Sequence, residues 1–194
     1  QRPRSKHIQV PIAQLEGPAA PAPRRRTGLA EGSGACCVDL RPLAAALSAA
    51  SKPLFVIGGG AAKAGDDLAA VLQACGAACF ETYAGRGIVP WDYPLNFGSA
   101  LARPSSAQIV AEADCVVVIG TELAEVDLWR AHLGHSCPLY RIDIDPECLA
   151  DIQRAEVAIL ARAEEAMASL RPLVAQSPSQ WQARSVAHQR GLWR

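Results

Sequence analysis

Leu54-Phe55-Val56-Ile57-Gly58-Gly59-Gly60 is the stretch that decides the fold. A short apolar run that ends in glycines and opens into an alanine-rich amphipathic segment reads as a parallel strand feeding a helix. The pattern returns at Cys115–Gly120 (Cys-Val-Val-Val-Ile-Gly) and at Leu139–Asp145 (Leu-Tyr-Arg-Ile-Asp-Ile-Asp). In an open parallel sheet, ligands sit beyond the carboxyl ends of the strands, where these glycines and aspartates would gather. The expectation is a doubly wound α/β domain with a mainly parallel sheet, helices on both faces and a nucleotide-sized crevice.

Outward from that strand, Asp39–Ala50 reads as a helix, with Asp39 at its N-cap and Leu40, Leu43 and Leu47 on one face. A second helix runs from about Ala61 to Cys75 and stops at Gly76, a C-cap residue. Ala78–Glu81 is the next strand, and Thr82–Gly98, rich in Gly, Pro and aromatics, is a long shaped loop. A helix near Ser105–Ala111 leads to the strand at Cys115–Ile119, a segment at Leu123–His132 to that at Leu139–Ile144. The strand Val157–Leu160 and the helix Ala163–Val174 complete the series. At the amino end His7–Pro11 alternates like the last strand of a preceding domain. Glu16–Gly34 is Pro, Ala, Gly and Arg, which builds no core. Three regions are expected: 1–34 as a tail plus linker, 35–176 as the α/β domain, and 177–194 as a polar linker towards a further domain.

Composition excludes several functions. Lysine plus arginine equals aspartate plus glutamate, so there is no basic face for nucleic acid, and Arg24–Arg26 sits among prolines and glycines as a solvated linker. No apolar run reaches membrane length. Seven cysteines, odd in number and without C-x-x-C spacing, imply small apolar fillers in a reducing cytoplasm. His132 and His135 share a helical spacing, but no carboxylate or cysteine completes a zinc set, so no metal residue is assigned.

The chemistry-bearing groups are few. Gly58, Gly59 and Gly60 either present amides to a pyrophosphate or simply permit a tight turn and close strand–helix contact. Lys63 stands where the dinucleotide fingerprint needs a third glycine. Gly120 and Thr121 occupy the corresponding place after a later strand. Asp143 and Asp145 either accept from ribose hydroxyls or, in Asp145-Pro146-Glu147, cap the next helix. Gly65-Asp66-Asp67 lies in the first turns of a helix and is not a diphosphate/magnesium motif. There is no nucleophile elbow, P-loop or H-E-x-x-H, and no catalytic residue is assigned.

Taken in order, several segments resemble the central domain of thiamine-diphosphate-dependent enzymes, the family of acetolactate synthase and benzoylformate decarboxylase. They are His7–Pro11, Lys52–Gly60, Glu81–Pro90 with Tyr93-Pro94-Leu95 and Gly98, Glu112–Leu123, and Ile142–Pro146. The resemblance covers nearly the whole chain and implies a Rossmann-like fold of the DHS-like NAD/FAD-binding type. It adds Thr82, at the head of the matched loop, to the cofactor-binding candidates. It further implies thiamine diphosphate and Mg2+ held by flanking pyrimidine- and diphosphate-binding domains, a homo-oligomeric parent, and a fragment that brings no catalytic group of its own. Some members hold FAD or an adenine nucleotide in this domain. Here Glu122 stands where FAD-binding acetolactate synthases carry arginine, and a carboxylate there repels a diphosphate. Gly120–Trp129 looks most like decarboxylases of long polar 2-oxo acids such as 5-guanidino-2-oxopentanoate, with Glu122, Glu125 and Asp127 either available to a guanidinium or solvated loop carboxylates. The alternatives are a free-standing nucleotide- or FAD-binding domain, an NAD-dependent deacylase lacking its cysteine quartet, and a domain that pairs with a copy of itself.

Overall fold

The computed structural model describes residues 38–153 and 155–193. The expected strand at His7–Pro11, the linker at Glu16–Gly34 and the Cys36-Cys37 pair lie outside the described residues. All described residues belong to one compact unit, Gly34–Arg194.

Six parallel strands form one sheet in the order β3-β2-β1-β4-β5-β6: β1 Pro53–Ile57, β2 Ala78–Glu81, β3 Asn96–Gly98, β4 Cys115–Ile119, β5 Leu139–Asp143 and β6 Val157–Leu160. The expected doubly wound fold is therefore present. Every side chain of β1 and β4 is buried, as strands covered on both faces require. One face carries Phe55, Ile57, Val117 and Ile119 beneath α1 (Arg41–Ala49), α2 (Gly65–Cys75) and α6 (Ala163–Leu170). The other carries Leu54, Val56, Val116 and Val118 beneath α3 (Ser106–Ala111), α4 (Glu125–Leu128) and α7 (Ala183–Leu192); α5 (Pro146–Leu149) follows β5.

The helix ends explain themselves chemically. Gly76 takes φ +59°, the left-handed value that a C-cap demands, and its amide and that of Ala77 return to the carbonyls of Gln73 and Leu72. The first helix differs from expectation by one step. Asp39 turns its carboxylate back on the Arg41 amide (3.0 Å) and guanidinium (2.8 Å), so Leu40 holds the N-cap position without a side-chain cap. That exposed pairing holds the Asp39 carboxyl down to about 2.

Two regions read as irregular prove ordered. The end of the aromatic loop, Asn96–Gly98, is a sixth strand, too short for an alternation signal; Cys79 N–H donates to the Leu95 carbonyl at 3.0 Å where it joins. Beyond Gln176 the chain is not featureless. Gln180 N–H donates to the Ser51 carbonyl (2.8 Å) and Trp181 Nε1 to the Pro53 carbonyl (2.8 Å). Trp181 and Trp193 then close over Phe97 at 6.0 and 6.1 Å between ring centroids, and Phe97 stacks on Phe80 at 4.8 Å. A polar composition hides this, because two tryptophans and Val186 supply the apolar contact.

Candidate functional site at the carboxyl rim of the sheet

In this strand order the chain reverses direction between β1 and β4, the switch point where doubly wound folds open their crevice. Gly58, Gly59 and Gly60 leave β1 there, opposite Gly120 and Thr121 leaving β4. The expected neighbours are thus brought together, but in contact with one another. Gly58 N–H donates to the Ile119 carbonyl (2.9 Å), Gly60 N–H to Gly120 (2.9 Å) and Ala61 N–H to Gly58 (3.0 Å). A Cβ on Gly58 would overlap the Gly120 carbonyl and the Thr121 side chain, and one on Gly120 would come within 2.7 Å of Ala61 N. Of the two meanings the glycine run left open, the geometry supplies close backbone packing. The Gly58, Gly60 and Ala61 amides are engaged inside the fold.

The second layer of the rim comes from β2 and its loop. Thr82 N–H extends the ladder to the Ile57 carbonyl (2.9 Å), and Thr82 in turn receives the Gly85 amide on its carbonyl (3.1 Å) and hydroxyl (3.2 Å). Glu81, buried at 4 % exposure, is the organiser that sequence reasoning missed. Its Oε1 accepts the amides of Gly87 (3.0 Å) and Val89 (3.1 Å), and its Oε2 accepts from Asn96 Nδ2 (3.3 Å). Asn96 Oδ1 then takes the Gly98 amide at 2.7 Å. One carboxylate therefore folds the loop from 82 to 98 back onto its own strand. Tyr93 pins the far end, its hydroxyl 2.7 Å from the Ala77 carbonyl and 3.1 Å from that of Leu72. Burial drives that hydroxyl's pKa far up and keeps it a donor.

A second missed residue is Arg141, a charge in the middle of β5 and 1 % exposed. Its guanidinium reaches Asp151 Oδ1 (2.5 Å), the Gln153 carbonyl (3.2 Å) and the Thr121 carbonyl (3.1 Å). It ties the loop after β4 to the connection between β5 and β6. The signal in sequence was a lone arginine between Leu139 and Ile142, in a strand otherwise suited to a core.

Asp143 and Asp145 close the rim. Asp143 Oδ1 accepts the Asp145 amide (3.0 Å), and Asp145 Oδ1 accepts the Glu147 amide (3.1 Å) as N-cap of α5, with Pro146 at its first position. The capping alternative is what Asp145 performs.

Outside these bonds lies an acidic loop. Asp127 Oδ1 receives the Tyr83 amide at 3.4 Å, joining the loops after β2 and β4. Partial burial lifts the Asp127 carboxyl above its usual range; the Tyr83 amide opposes this, and the Glu122 charge adds to it. Leu123 and Trp129, on either side, hold φ of +51° and +50°, a strained setting for non-glycine residues.

No described group of three His, Cys, Asp or Glu side chains is placed to hold a metal. Asp66 and Asp67 lie in the first turn of α2, and Asp67 pairs with Arg171 at 2.9 Å, so they do not fit a diphosphate-bridging magnesium site. Among the described residues no helix is long and apolar enough to cross a membrane.

Comparison with known proteins agrees with this architecture. Residues 40–170 match the family model described as the thiamine pyrophosphate enzyme, central domain. The chain is 38% identical over 171 residues to the Probable 2-ketoarginine decarboxylase AruI of Pseudomonas aeruginosa, covering 88% of this chain and 31% of that protein. It is 32% identical over 141 residues to pyruvate oxidase of Lactiplantibacillus plantarum (71% of this chain, 23% of that one). It is 28% identical over 149 residues to the acetolactate synthase isozyme 1 large subunit of Escherichia coli (74% and 26%). A solved chain from Mycobacterium smegmatis, a "putative thiamin diphosphate-dependent enzyme", superposes with a TM-score of 0.58 at 24% identity, over 71% of this chain and 28% of that one. The chain spans less than a third of the length of each of these relatives. The switch-point strand order, the glycine contact across it and the matched residues lead to one conclusion: this chain belongs to the thiamine pyrophosphate enzyme central-domain family.

Proposed function

We propose that this chain is the non-catalytic central domain of a thiamine-diphosphate-dependent 2-oxo acid decarboxylase, a lyase, and that it braces the subunit and shapes the substrate entrance. The observation that carries the reading is the state of the rim. Its glycine amides, the Glu81 carboxylate and the Arg141 guanidinium are turned inward to lock loops together, as a brace requires. Thiamine diphosphate with Mg2+ would be held by flanking pyrimidine- and diphosphate-binding domains, and when bound would supply the nucleophile and electron sink for the keto carbon. Similarity to a protein named for 2-ketoarginine favours a guanidino 2-oxo acid as substrate of the parent, over the pyruvate that an acetolactate-synthase-like transferase would use. The free cysteines are in keeping with a cytoplasmic enzyme.

The test is carbon dioxide release from 2-ketoarginine and from pyruvate, with thiamine diphosphate and Mg2+ present. The enzyme from the complete reading frame should prefer the guanidino acid, and the 194-residue chain alone should release nothing above background. Decarboxylation by the isolated chain, or a preference for pyruvate with carbon–carbon bond formation, would refute the proposal. The strand order itself favours a second reading, a free-standing nucleotide- or FAD-binding domain. Flavin absorbance near stoichiometry in the purified protein would establish it; its absence after incubation with FAD and with ADP supports the brace.

A further inference from the structure

We draw no further inference here: the strongest candidate, the open cleft of about 630 Å³ that α7 and Trp181 form with Lys52, Ile109 and Glu112, carries nothing, because Lys52 is already paired with Glu112 at 2.8 Å and nothing in the structure shows what occupies the cleft.

Discussion

Replacing Glu81 tests the claim that a single carboxylate folds the loop between β2 and β3. Three donors converge on it: the Gly87 and Val89 amides on one oxygen and Asn96 Nδ2 on the other. Val89 and Asn96 are buried, at 2 % and 4 % exposure, so water cannot fully replace the lost acceptor. A buried donor left unmet costs roughly 1–3 kcal/mol. Glu81→Ala strands two such donors, exposes a third to solvent and opens a cavity; the expected loss is about 3–5 kcal/mol, a large share of the roughly 5–15 kcal/mol that holds a domain together. Glu81→Gln keeps one oxygen for both amides but turns an NH2 group towards Asn96 Nδ2, and Asn96 is not free to flip because its Oδ1 holds the Gly98 amide. The expected loss there is about 1–2 kcal/mol. Urea unfolding followed by circular dichroism gives both numbers, and hydrogen exchange at the Gly87 and Val89 amides locates the damage. If the alanine variant unfolds within about 1 kcal/mol of the parent, or alanine and glutamine cost the same, the clamp does not exist as described.

Three further outcomes are expected. Gly58→Ala should cost more than about 2 kcal/mol, since its Cβ overlaps Gly120 and Thr121, whereas Gly65→Ala, whose Cβ comes no nearer than 3.7 Å to Ile88 O in a helical turn, should be neutral or stabilising by up to about 1 kcal/mol in the same assay. Burial lowers the His135 pKa from its usual 6.5 despite the nearby Glu156 charge, and His132 opposes protonation too. The unfolded chain therefore takes up the proton first: stability is full above pH 6.5 and falls as pH drops below it, a decline that urea titrations should find flattened in His135→Asn. Desolvation pushes the Cys75 thiol up to about 11 and that of Cys115 to about 12. Site-resolved alkylation at pH 8 should leave both unmodified in the native protein and modify both in urea; rapid native labelling of either would contradict their burial.

Much of the fold was legible because it rests on local pattern. Continuous apolar runs ending in glycine mark β1 and β4, and Gly76 marks a helix end by the backbone angle it alone takes easily. What was hidden is non-local. β3 is three residues long and exists only because Leu95 and Asn96 find β2. Glu81 and Arg141 read as ordinary charges until the chain returns around them; their partners lie up to 20 residues away. The glycine run shows the limit most plainly. Its sequence serves phosphate binding and close packing alike, and the contact of Gly120 with Gly58 is visible only in the folded chain.

Trp181 donates to Pro53, a carbonyl 128 positions earlier, and Gln180 meets Ser51 beside it. The amino-terminal margin of the central strand is thus finished by residues more than a hundred positions downstream. During synthesis, residues up to Leu173 can emerge while Phe80 and Phe97 still lack their indole cover. A version of this unit cut short before residue 181 would leave the Phe80–Phe97 stack without its indole cover, an aromatic patch open to water.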